Sequence, residues 1–214
     1  MKKQLIIAAL ALGLSSGAFA QGYVNVSATG SPVKQDFLTG TSASASGNVR
    51  IAVLWGSGNS LIGNTASSTA SFTTNAPTVW TSLLNDPNYR LANNSGSLIT
   101  ALTTTGLGAG NFSAGDVPID NSTAGASLTL IVIGWNSAYA TPQLAAAANA
   151  AVGWSAPVTY ASGASSIATV LNMTQSGLAA FGVDTLAPVV VPEPTTLALA
   201  GLSGASLLLF RRKK

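Results

Sequence analysis

The chain has 214 residues, enough for one domain with a real core once both ends are set aside, and only 7% of them are charged. The overall +3 is a property of the ends: between Gln21 and Ala187 three cations (Lys34, Arg50, Arg90) meet five aspartates (Asp36, Asp86, Asp116, Asp120, Asp184), a net −2. That balance excludes a nucleic-acid footprint, which needs clustered Lys and Arg. The absence of His and Cys excludes disulfides, Ser-His-Asp triads, Cys nucleophiles and His or thiolate metal sites.

In chain order, the N-terminus has the layout of a secretory signal. Lys2 and Lys3 form a positive start, Leu5 to Leu14 an apolar core, and Ala18-Phe19-Ala20 a small-residue cleavage site. Signal peptidase would cut after Ala20 and leave Gln21 as the first mature residue. The apolar run is short for a permanent anchor.

The body opens with a strand that puts Val24, Val26 and Ala28 on one face and Tyr23, Asn25 and Ser27 on the other, until Gly30-Ser31-Pro32 breaks it. Thr39 to Gly47 is Ser/Thr/Ala/Gly-rich and reads as a loop. Alternation then predicts a strand with Val49, Ile51, Val53 and Trp55 on the core face. Gly56 to Asn59 turns the chain, Ser60 to Gly63 begins a short return, and Ser67 to Thr74 is an exposed strand candidate. A short helix is expected from Thr78, as its cap, to Asn85, with Pro87 stopping it.

Ser97 to Thr104 reads as a further strand, Gly106 to Gly110 as a loop, and the Pro118 segment as an edge. Ser127 to Trp135 (SLTLIVIGW) is apolar on both faces, the mark of a central strand. Thr141-Pro142 starts a helix with Pro at its first position, continuing through Leu144 to Ala151 and ended by Gly153. Trp154 to Tyr160 and Ile167 to Asn172 read as closing strands. Short strands separated by Gly/Ser/Asn turns predict an all-β, sandwich-like body with one or two short helices over residues 21–187.

The last segment, 188–214, has three parts in fixed order. Val191-Pro192-Glu193-Pro194 is an extended, proline-fixed stretch carrying one carboxylate. Leu197 to Phe210 is uncharged, and as a helix it would span roughly 21 Å against a hydrocarbon core of about 30 Å. Arg211, Arg212, Lys213 and Lys214 then hold the end on the cytoplasmic side. An ordinary tail anchor would have a longer apolar helix and no Pro-Glu-Pro.

This combination resembles the PEP-CTERM sorting signal of Gram-negative bacteria. The resemblance implies export across the inner membrane and a transient short transmembrane anchor. It also implies recognition of Pro192, Glu193 and Pro194 by an exosortase-like membrane enzyme, and a cell-surface or extracellular destination in an exopolysaccharide context. The body loosely resembles secreted β-rich domains that precede such signals, on the strand at Tyr23, Leu54-Trp55-Gly56, Gly134-Trp135 and the Tyr139 to Ala151 stretch.

Within the body, the residues point to no catalytic constellation. Asp116 and Asp120 are the only close carboxylates, and Asp120-Asn121 reads as turn chemistry rather than an acid/base pair or a calcium site. Gly106, Gly108 and Gly110 lack phosphate-loop spacing. No cofactor is expected. Trp55, Trp80, Trp135 and Trp154 are either core residues or flat faces for sugar rings, with Trp135 and Trp154, at strand ends, the glycan candidates. Two function classes remain at this point: a non-enzymatic matrix or adhesion protein, and a carbohydrate-binding module. An enzyme ranks behind both.

Overall fold

The structure, a computed structural model, describes residues 21–35, 43–56, 67, 76–164 and 171–185. Two strands carry its centre. β10 (Ser127–Asn136) and β4 (Val49–Gly56) pair antiparallel over eight residues, from Thr129 opposite Gly56 to Asn136 opposite Val49. Each places apolar side chains alternately on both faces, so the sheet they build is covered on both sides.

The two faces have different covers. On one, Val49, Ile51, Val53 and Trp55 of β4 join Leu128, Leu130 and Val132 of β10. Their cover is a two-stranded ribbon, β1 (Gly22–Ala28) with β9 (Phe112–Ile119), which contributes Val24, Val26, Ala28, Phe112 and Ile119. Ala114 is left over in the ribbon's register, and Gly115 beside it has φ +75°, a bulge geometry glycine adopts without strain. On the other face, Ala52, Leu54, Ile131, Ile133 and Trp135 meet two helices, α1 (Ala76–Leu84) and α2 (Pro142–Ala147). The expected all-β body is therefore β-rich, but only one of its cover layers is made of strands; helices close the other side. Each of the four β4 side chains facing the ribbon contributes about 1.5–3 kcal/mol of burial free energy before chain entropy is counted.

Along its other edge β10 has two partners in succession. β11 (Ala151–Trp154) pairs with Ile133 to Trp135, and β12 (Val158–Ala161) with Ser127 to Leu130. Pro157 has no N–H to offer the ladder. Ser155 fills part of the gap: its backbone N–H donates to Val132 O (2.8 Å), and its Oγ accepts from the Val132 N–H (2.9 Å). β4 is likewise flanked in two steps, by β5 (Tyr89–Leu91) and by β8 (Ala101–Leu102). Between them the hairpin of β6 (Asn93–Asn94) and β7 (Ser97–Leu98) turns on Ser95 and Gly96, both at positive φ as a type I′ loop requires.

β13 (Phe181–Thr185) completes the sheet between β11, antiparallel, and β2 (Val33–Gln35), parallel; β3 (Ala43–Ser44) lies outside β2. Phe181 and Val183 enter the ribbon-side core.

Several expectations shift. α1 begins at Ala76, so Thr78 is an exposed residue within the helix rather than its cap. α2 does start at Thr141-Pro142, with Thr141 Oγ1 accepting from the Leu144 N–H at 3.3 Å. It stops at Ala147, however, and Gly153, expected as its terminator, lies in the middle of β11. A Cβ there would stand 1.8 Å from Gly182 O, so close backbone approach is what requires the glycine. The strand expected over Trp154 to Tyr160 is split in two. The one over Ser97 to Thr104 is broken into β7 and β8. The return at Ser60 to Gly63 and most of Ser67 to Thr74 and Ile167 to Asn172 lie outside the described residues.

Candidate functional site

The sequence places its candidate sites in two groups, and only one falls within the described structure. Ala18 and Ala20 of the signal, Val191, Pro192, Glu193 and Pro194 of the sorting motif, and the cations Arg211, Arg212, Lys213 and Lys214 all lie outside the described residues. The fold does fix where that tail begins. Thr185 is the last residue of β13, a strand held between β2 and β11, and only five residues separate it from Val191.

Gln21, the expected mature N-terminus, is the first described residue, and its side chain is engaged. Its Nε2 donates to Asp120 Oδ1 at 3.1 Å. The same carboxylate accepts from the backbone N–H groups of Ser95 (3.0 Å) and Gly96 (2.8 Å) at the tip of the β6–β7 hairpin. These donors, Gly96 first and then Ser95, favour the ionised form and hold Asp120 below the ordinary aspartate range. Its role is structural: it ties the start of the body to a hairpin that leaves the main sheet. Among the described residues no group of three or more acidic side chains is assembled as a cation site.

The tryptophans resolve differently from the glycan reading. Trp135 is fully buried and Trp154 is 4% exposed. Trp135 donates its indole N–H to Tyr139 O at 2.9 Å, while Trp154 packs against Trp80 with ring centroids 6.3 Å apart. Both stand under the two helices, where the apolar face of the sheet has to be covered, so neither offers a flat face to a sugar. Trp55 is 7% exposed and carries the Arg90 guanidinium over its ring at 5.2 Å. All four are core residues, and the assignment of Trp135 and Trp154 as glycan contacts is corrected accordingly.

One concavity escaped the sequence reading. A groove of about 180 Å³ lies between the helices, lined by Trp80, Thr81, Leu84 and Asn85 of and just after α1 and by Gln143 and Ala146 of α2. The Trp80 indole N–H is buried without a partner. The two helices are some sixty residues apart in sequence and meet only because both cap the same sheet face, so no local motif announces the groove.

Tyr160 is the other polar group set into the body. Its hydroxyl donates to Leu171 O (2.6 Å) and accepts from the Asn25 N–H (2.8 Å), linking β12, β1 and the chain that precedes β13. Burial raises its pKa above the usual phenol value, with the Asn25 N–H opposing.

Compared with known proteins, residues 190–213 match the family model described as the PEP-CTERM protein-sorting motif. No curated protein and no solved structure matches the chain. The chain thus carries a PEP-CTERM motif, the mark of a protein sorted by exosortase to the cell surface through export and a transient membrane anchor.

Proposed function

We propose that the chain is a non-enzymatic surface protein, structural or adhesive, that works within an exopolysaccharide matrix after its tail has been cut near Pro192-Glu193-Pro194. The observation that carries the sorting half of this reading is the motif at residues 190–213. Behind the motif, Leu197 to Phe210 is short for a bilayer, and the four cations Arg211 to Lys214 orient it with the body outside. A helix roughly 21 Å long still inserts, helped by bilayer thinning and by snorkelling of those cations. That suits an anchor meant to be temporary. Glu193, fixed between two prolines, is the charge an enzyme at the membrane face would read.

The matrix half is supported by the body's chemistry. It has very few charges, many Ser, Thr and Asn side chains, and neither His nor Cys to build common catalytic sites. Such a surface suits many weak neutral contacts with hydrated polymer better than a charged ligand.

Replacing Pro192, Glu193 and Pro194 together by alanine tests the reading in a cell that has the cognate enzyme. The unaltered chain reaches the cell surface or medium, and the variant stays in the membrane fraction. Identical distribution of the two would contradict it. For the matrix role, cells lacking the protein are expected to form matrix with altered cohesion; unchanged cohesion counts against it.

A further inference from the structure

The end of the sheet from which the tail departs has a distinctive surface. Cross-strand pairing defines one transverse row there: Leu102 opposite Arg50, Arg50 opposite Trp135, Trp135 opposite Val152, and Val152 opposite Asp184. Thr185, the last described residue before the tail, is one position further out, opposite Ala151. The connections into and out of α2 start at Asn136 and end at Ala151, both at this end, while α2 itself packs Ala145 over the helix-covered face. The 3-10 turn Gly106–Gly108 follows Thr103, whose N–H donates to Val49 O at 3.0 Å, and Val49 is paired with Asn136. Leu107 is four residues past Thr103, within about 14 Å of it.

Among the described residues four large apolar side chains are more than half exposed, and three are carried by segments that reach or leave this end: Leu102 (52%), Leu107 (110%) and Leu144 (54%). The fourth, Leu171, lies beside β1 and Tyr160. Long runs of the surrounding chain are free of charge, with Lys34 of β2, opposite Gly182, the nearest cation on the β13 side. No Asp, Glu, Lys or Arg occurs between Arg90 and Asp116 or between Asp120 and Asp184. The transverse row itself holds one charge of each sign, Arg50 and Asp184. Bringing such a surface to lipid removes little polar solvation.

We propose that this end of the body docks onto the membrane surface while the tail is in place, with Leu102, Leu107 and Leu144 entering the interfacial zone. The inference rests on reading the tail as a membrane anchor. The length of chain beyond Thr185 names the occupant. From Thr185 to Leu197, where the apolar segment begins, there are twelve residue steps, at most about 42 Å when fully extended. A folded body of this size is about 40 Å across. The tether reaches past the opposite end only when stretched to its full length, so shorter and more numerous tether conformations favour the Thr185 end at the lipid. At the high effective concentration such a short tether creates, even a weak apolar contact is well populated. Cutting the tail removes the tether, and three leucines alone hold too weakly to keep the body there, so the same contact releases on processing.

Because the chain has no cysteine, single probes are unambiguous. The full-length protein is reconstituted into phosphatidylcholine vesicles containing a quencher-bearing lipid, with an environment-sensitive dye at Ser137→Cys or at Ala161→Cys. Ser137 follows Asn136 at the docking end, and Ala161 is exposed opposite Ser127 at the other end. The expected result is quenching at Ser137 at least about threefold stronger than at Ala161, an excess that disappears when Leu102, Leu107 and Leu144 are all changed to Ser. Equal quenching at the two sites, or an excess that survives the triple change, overturns the docking. Protein that fails to float with the vesicles at all overturns the anchor reading and the docking together. The leucines are surface residues, so the triple variant is expected to keep its fold, which circular dichroism checks.

Discussion

At the scale of single residues, the body is pinned by a few polar groups that each hold backbone from distant parts of the chain. Asp120 is the clearest, since one carboxylate serves Ser95, Gly96 and Gln21. The donors favour the ionised form, so its pKa in the folded body lies below the unfolded value, ordinarily 3.8. A depressed carboxylate contributes stability that is present above 3.8 and is lost as pH falls through the lower folded value. Asp120→Ala should therefore lower the urea midpoint at about pH 6 and leave it nearly unchanged once the pH is well below that range. A gap between the two proteins that stays constant through the acid range would show the carboxylate's charge to be irrelevant. The sequence points to turn chemistry at Asp120-Asn121, but not to the residues it reaches: Gln21 comes near only through the register of β1 with β9, and Ser95 only where the β6–β7 hairpin meets the end of β9, the Asp120 N–H donating to Asn93 O.

At the scale of elements, strong local patterns are legible in the sequence, whereas whatever depends on a distant partner is not. β1, β4 and β10 announce themselves by alternation or by a long apolar run, and the structure places Val49, Ile51, Val53 and Trp55 on one buried face. The start of α2 is likewise written in Thr141-Pro142. Its end is not. Ala148 to Ala151 favours helix by composition, yet Asn149 takes φ +52° and Ala151 enters β11 because β10 and β13 flank that strand. β13 went unnoticed in the sequence for the same reason: five residues carry too little pattern, and its pairings are made across the fold. Gly153 gives the sharpest test of the element it belongs to. A methyl group there meets Gly182 O at 1.8 Å, so Gly153→Ala must push β11 and β13 apart. The expected loss is about 3 kcal/mol, read as a fall in the denaturant midpoint with little change in slope. A loss under about 0.5 kcal/mol would mean that the two strands are not packed this closely.

At the scale of the whole molecule, three segments have separate tasks. The first twenty residues have the layout of an export signal and the last two dozen carry the sorting motif, while the β-rich body between them supplies whatever the surface role requires. The tail's role was legible in the sequence because it depends on order and composition alone: motif, apolar stretch, cations. The glycan reading of Trp135 and Trp154 was not settled there, since exposure belongs to the fold, and the helices that bury both rings approach from opposite sides of a sixty-residue gap. The link between body and tail lies in β13, an interior strand rather than a free edge, so removing the tail leaves the sheet's pairing intact.

The central claim is that Pro192-Glu193-Pro194 marks where the chain is processed. The most direct measurement is the intact mass of the mature protein made with and without the cognate exosortase-like enzyme. Without the enzyme, the account predicts a chain ending in Arg211-Arg212-Lys213-Lys214. With it, it predicts a shorter chain that ends near the motif and lacks those four residues, alone or with an added group. A full-length C-terminus in the presence of the active enzyme would contradict the account and leave a plain tail anchor in its place.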